Sequence, residues 1–400
     1  MHSETLQPLM LFLVLGLIAL NALAYYSKKS MILPNIIWVL ILGLVYGGVS
    51  FSLPEHLPQL HIDPGVVLFV FVPLLIFAST QKICLFHFRT VLPQASLIAT
   101  LGIVISTLII AIPFFYIFNI GWLESLLFGV VVSATDPLAV GALLHGDNNI
   151  DESQKLLIEG ESILNDGFVV TVYGIITVLL FSNSDFDALH SSYEFIIHII
   201  GSVLLGVFLG RLARWLLDKW HEEHFILTVN MTLALAYGSF SLGETLGLSG
   251  ILTVFSSALA FGYKPKVKGH NKDFHNHVWE YLEYITNTVV FFMLGASFFQ
   301  YFSLQSISFA IIITSLILLI LSRLGGLALL YPMINIDGKP LSRKEFWLLN
   351  FSGARGAVSI ALMLLLPTEF TLKPMFMSLT LIIIFVSLII YPLLARKAIS

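Results

Sequence analysis

Residues 122–145 read WLESLLFGVVVSATDPLAVGALLH, and this one stretch carries both the class of fold and its anomaly. A helix of about 20 apolar residues crosses a bilayer core roughly 30 Å thick, and the run is long enough to do so. Yet Asp136 and Pro137 stand in its middle. Pro137 offers no N–H to the carbonyl of Ser133 and pushes Asp136 away from helical dihedrals, so the helix is predicted to break or loosen there. Irregular backbone at membrane depth is tolerated where it lines a cavity. Freed carbonyls beside a carboxylate are the oxygen ligands that a hard cation takes.

The rest of the chain repeats the apolar character. Its 400 residues are 57% apolar and 11% charged, with a mean hydropathy of +0.92, whereas soluble domains carry about a quarter charged residues. A water-soluble globule is excluded. The single cysteine, Cys84, rules out an internal disulfide framework and offers no metal cluster, and the net charge of −4 identifies no partner. The segment Met1 to Gln7 lacks the basic start of a cleavable signal, so the apolar run after it is read as retained.

Short polar or Pro/Gly-bearing breaks divide the chain into thirteen expected spans: 8–26, 32–50, 65–81, 93–117, 122–145, 157–182, 195–219, 225–243, 247–263, 278–299, 306–332, 345–366 and 374–395. The division between the eighth and ninth rests on Glu244 to Leu246 alone. Basic residues check the count. Seventeen of the 20 fall on the side of the connections after odd-numbered spans, three of them (Arg211, Arg214 and Lys219) at the end of the seventh span itself; one (Lys373) falls on the other side, and Arg323 and Arg355 lie within spans. The positive-inside rule then makes the odd connections cytoplasmic, with the N-terminus outside and the C-terminus inside. An error of one span would scramble this segregation. The expected fold is all-α: one integral membrane transport domain over residues 1–400.

Ionised groups at mid-membrane cost at least about 2.5–3.5 kcal/mol each, so each needs a partner or a purpose. The sixth span, from Glu159-Gly160-Glu161-Ser162 to Asn165-Asp166-Gly167, concentrates them. Helical spacing places Ser162 and Asp166 on one stripe and Glu161 and Asn165 on the next. Such carboxylates repel one another unless protons or cations neutralise them. In the twelfth span, Ser352-Gly353-Ala354-Arg355-Gly356 sets an arginine among small residues that permit close helix approach. Arg355 keeps its charge, so it needs an anion inside the protein, and Glu161 is the expected partner. Interrupted spans in corresponding places, here the fifth and twelfth, mark an inverted-repeat transporter with its site at the midplane.

The combination of ATDPLAV (134–140), GESILNDG (160–167) and GARGAVSIAL (353–362), with LSGIL at 248–252, resembles the sodium/proton exchanger branch of the monovalent cation:proton antiporters. The resemblance runs from the second span to the thirteenth. It implies an alternating-access homodimer in the lipid bilayer of the plasma membrane, or of the inner membrane in a Gram-negative cell. No cofactor and no nucleic acid are implied; the substrates are sodium, or lithium, and protons. By resemblance, Asp136 and Asp166 bind cation or proton, and Ser162 and the Thr135 carbonyl add oxygens to a sodium site. Asn165 would hold Asp136 by hydrogen bonds, and Glu161–Arg355 would be a structural ion pair. Arg323 also matches a family arginine, with no role assigned. The third span departs from the pattern: Pro73-Leu74-Leu75 is followed by Ser79 and Thr80 where many relatives carry an acid.

Rival classes fit less well. Gly247-Leu248-Ser249-Gly250 suggests a serine nucleophile, but no later span holds a histidine base. His221-Glu222-Glu223-His224 has the wrong spacing for a zinc helix, and His270, His275 and His277 sit in a lysine-rich polar connection. A potassium/proton exchanger remains the nearest alternative. A cation channel is a further one, although a filter needs symmetric residues and here the acids lie in one half and an arginine in the other. With Asn at 165 and no lysine in the interior of any span, one-for-one electroneutral exchange is expected.

Overall fold

The computed structural model describes residues 35–53, 63–81, 85–136, 150–181, 188–220, 225–262, 270–302, 307–336 and 339–399, with a few isolated positions before residue 84. The expected first span lies almost wholly outside the described residues, as do Cys84, Pro137 and the rest of the fifth span, 221–224, and the lysines at 264–268. The other expected spans are helical, the fifth over Trp122–Ser133 in its described part and the twelfth as two helices with a break between them. They are α1 (Asn35–Ser52), α2 (Pro64–Thr80), α3 (85–118), α4 (Trp122–Ser133), α5 (Glu152–Phe181), α6 (Ala188–Trp220) and α7 (Phe225–Thr245). They continue as α8 (Gly250–Gly262), α9 (His270–Ala296), α10 (Phe309–Leu330), α11 (Arg343–Phe351), α12 (Ala357–Leu365) and α13 (Lys373–Ile399). The chain is thus an all-helical, polytopic protein, and among the described residues the one strand pairing joins Asn335–Ile336 to Lys339–Pro340.

The narrow division between the eighth and ninth spans has a local cause. Gly247 takes φ +71°, a conformation open to glycine at no steric cost. The Glu244 carboxylate accepts the Gly250 N–H at 2.9 Å and the Ser249 hydroxyl accepts the Leu252 N–H at 3.3 Å, so both cap the start of α8. Ser249, the residue that suggested a nucleophile, is a helix cap. In α2, Pro73 has no N–H for the carbonyl of Phe69, and the turn over Val67–Phe71 widens to a π-helix.

Packing sorts the helices into two groups. In one, α1 lies along α9, and α8 packs between α6 and α7 and against α2. Glycine makes the closest approaches: a Cβ at Gly295 would sit 2.7 Å from the Leu44 nitrogen, and one at Gly210 would sit 2.9 Å from Ala260 Cβ. In the other group, α3 packs on α4, α5 and α10, while α13 packs on α11 and α12. The groups meet where Leu252 of α8 covers Gly167 of α5, where Phe88 meets Phe255 edge-on at 5.9 Å, and where α12 crosses α2. The second group contains both interrupted spans.

Candidate functional site

The α4 helix stops at Ser133, and Ala134 is already extended (φ −57°, ψ 134°). The break therefore begins three residues ahead of Pro137. In the twelfth span α11 ends at Phe351 and α12 begins at Ala357, with Gly356 extended (φ −124°, ψ −166°) at its N-cap. These two non-helical stretches cross and pair. Asp136 N–H donates to the Ala354 carbonyl at 2.6 Å as an isolated antiparallel bridge. A Cβ at Gly356 would overlap the Asp136 carboxylate, and one at Gly353 would stand 2.7 Å from Arg323 Nε and 3.2 Å from the Thr135 methyl. The small residues of the twelfth span are thus the condition for the crossing.

The ion pair differs from the expectation. Glu161 pairs with Arg323 of α10, not with Arg355: Nη1 and Nη2 donate to the two carboxylate oxygens, each at 2.9 Å. Both side chains are buried, at 2% and 5% exposure, and Nη2 also reaches the Leu349 carbonyl at 3.1 Å. This fork-on-fork geometry is the strong form of a charged hydrogen bond. Arg355 lies in the extended break itself, and its Nη1 donates to the carbonyls of Ser133 at 3.0 Å and Ala134 at 3.3 Å. Carbonyls in the last turn of a helix lack intrahelical partners, and a cation there complements the helix dipole. The two buried arginines therefore serve the C-terminal ends of the two half-helices, Arg355 at α4 and Arg323 at α11. The Ser387 hydroxyl accepts the Arg355 N–H at 3.0 Å and ties the break to α13.

Around the Glu161–Arg323 pair, α5 supplies a polar lattice. Ser162 Oγ donates to the Thr135 carbonyl at 2.7 Å. Asn165 Nδ2 donates to Thr135 Oγ1 at 2.7 Å and to Glu161 at 3.3 Å, and Thr135 Oγ1 itself donates to Glu161 at 3.3 Å. Asn165 was expected to hold Asp136; its amide instead holds Thr135, the residue before it, and reaches Asp136 through the backbone. Asp166 lies within electrostatic range of both Asp136 and Glu161. Unlike their fully buried neighbours, Asp136 and Asp166 keep partial exposure. All seven residues singled out in the sequence are thus brought to one place, together with Gly353 and Gly356 and with Arg323, whose role the sequence left open.

The five ionisable groups of this cluster, Glu161, Asp136, Asp166, Arg323 and Arg355, carry three negative charges and two positive ones. Fully ionised, the cluster bears a net charge of −1. At the third-span departure the polar side chains belong to their own helix. The Ser79 hydroxyl donates to its own helix at Leu75, 2.8 Å away, and Thr80 is buried in the other helix group.

A family model described as "Sodium/hydrogen exchanger, transmembrane" matches residues 15–396. Sodium/hydrogen exchanger 7 of Arabidopsis thaliana is 30% identical over 83% of this chain, which covers 30% of that relative's length. Sodium/hydrogen exchanger 8 of the same plant is 30% identical over 87% of the chain, which covers 48% of that protein. The chain thus spans half or less of these two relatives. The Na(+)/H(+) antiporter NhaH of Halobacillus aidingensis matches end to end, 25% identical over 97% of this chain and 96% of its own. The solved structure of the sodium proton antiporter MjNhaP1 from Methanocaldococcus jannaschii superposes with a TM-score of 0.71 over 99% of both chains, at 20% identity. At that identity the superposition speaks for the fold.

Proposed function

The chain belongs to the sodium/hydrogen exchanger family, and on that premise we propose that it exchanges sodium for protons, one for one, at a site built by Asp136 and Asp166. It is a transporter rather than an enzyme, working in a plasma membrane, or the inner membrane of a Gram-negative cell, as a homodimer with its odd-numbered connections cytoplasmic. The observation that carries the reading is the charge of the crossing. Glu161 is neutralised in place by Arg323, and Arg355, whose donors go to the carbonyls of Ser133 and Ala134 and not into an ion pair, adds one positive charge to the cluster as a whole. One negative charge is left for Asp136 and Asp166 to share.

A buried net charge costs several kcal/mol, so the empty, fully ionised site is held back from crossing the low-dielectric interior. One sodium ion brings the site to zero, and so does one proton. Each loaded form crosses; the bare form does not. Sodium would draw on both aspartate carboxylates, the Thr135 carbonyl and the Ser162 hydroxyl, all oxygen ligands of the kind a hard cation takes. A proton would sit on the aspartate pair and remove the charge that attracts sodium. The two cargoes exclude each other, and that exclusion couples their movements.

The full chain, purified into sealed vesicles, tests this. An inward sodium gradient should drive protons outward without any ionophore, and Asp166→Asn should abolish the exchange while leaving a folded protein. Sodium current without proton movement would make the protein a channel and sink the proposal. Exchange driven by potassium and not by sodium would overturn the choice of cation.

A further inference from the structure

Lys373 is the one basic residue assigned to the outer connections, and nothing in the exchange site uses it. It is the first residue of α13, and its side chain turns back across the connection 366–372 to the end of α12. Nζ donates to the Leu364 carbonyl at 2.9 Å and to the Leu366 carbonyl. The α12 half-helix is nine residues long, so the carbonyls of its last turn form a large share of its backbone, and they lack partners within the helix. An ammonium bound there both satisfies the carbonyls and complements the dipole. The neighbouring Glu369 is exposed and acts on Lys373 through solvent, which leaves the two carbonyls as the amine's direct partners.

The other end of α12 is the exchange site. Gly356 lies against the Asp136 carboxylate, and Ser359 Oγ donates to the Val131 carbonyl at 2.8 Å, tying α12 to α4. A helix of this length is a stiff rod about 13 Å long, at 1.5 Å per residue. A displacement at one end therefore appears at the other. The same rod crosses α2, so it also stands where the two helix groups meet.

We propose that Lys373 is a positioning residue of the exchange site: its ammonium holds the outer end of α12 and thereby sets the inner end, Gly356, against Asp136. The inference rests on the exchange proposed above. Lys373→Met, Lys373→Arg and wild-type full chain are reconstituted into vesicles, and the half-saturating sodium concentration and maximal rate are measured separately, per folded molecule. Lys373→Met is expected to raise the half-saturating sodium concentration about fivefold, the scale of one lost helix-end interaction. Lys373→Arg, which keeps the charge and the donors, should stay within about twofold of wild type. A tie that serves folding alone would lower the amount or melting temperature of the folded protein with half-saturation unchanged, and that result overturns the inference. If Lys373→Met does not fold, Lys373→Gln is read by the same criterion. Wild-type chain that moves no protons with sodium would overturn the exchange reading itself, and is seen before any variant is compared.

Discussion

Replacing Arg323 by methionine keeps the volume of its stem and removes the guanidinium, leaving Glu161 at 2% exposure without its counter-charge. Breaking a buried ion pair from one side costs about 3–5 kcal/mol, because the remaining charge stays desolvated. The bond to the Leu349 carbonyl adds to the loss, at about 1.5–3 kcal/mol for a charged donor. Glu161→Gln in the same molecule removes the stranded charge, so the double variant should recover about 2–4 kcal/mol relative to the sum of the single ones. Arg355→Met behaves differently. It gives up two carbonyl contacts at 3.0 and 3.3 Å, strands no carboxylate, and should couple to Glu161→Gln by less than about 1 kcal/mol. Unfolding of the detergent-solubilised protein by titration with a denaturing detergent gives these free energies as a double-mutant cycle. Stronger coupling of Glu161 to Arg355 than to Arg323 would refute the assignment of the pair.

Two further substitutions probe the crossing. Gly356→Ala puts a methyl into the space of the Asp136 carboxylate, so exchange should be lost even where size-exclusion profiles show folded protein; normal transport would mean that Asp136 can move aside at no cost. Ser162→Ala removes the 2.7 Å bond to the Thr135 carbonyl and should cost about 1 kcal/mol, or roughly fivefold in half-saturating sodium. Unchanged sodium affinity would take Ser162 out of the cation shell.

Much of the fold was legible because hydropathy marks a span regardless of what packs beside it. Even the weakest boundary held, since Gly247 and the caps Glu244 and Ser249 lie in local sequence. The crossing of the fifth and twelfth spans was legible from Asp136-Pro137 and the glycines around Arg355. The break nonetheless starts at Ala134, where pairing with the other extended stretch takes over from the proline. The ion pair departs from the sequence expectation for a physical reason. Spacing tells which residues share a face of one helix; it does not tell how helices far apart in sequence are rotated toward one another. Arg355 looked like the partner of Glu161 because its neighbours are small, but it sits in extended backbone and spends its donors on the carbonyls of α4. Arg323, set within the intact helix α10, points at Glu161 from the flank, and Asn165 is drawn to Thr135 and Glu161 by the same lattice.

The most direct test of one-for-one exchange on a site of net charge −1 is the null point of transport. Vesicles holding the full chain are set with sodium and proton gradients of equal ratio and the same direction, so that the two driving forces on a one-for-one exchanger cancel, and the membrane potential is then clamped at several values. No net proton movement should occur at any potential. A null point that shifts with voltage would contradict the charge assignment, and with it the claim that sodium and a proton each neutralise the same pair of aspartates.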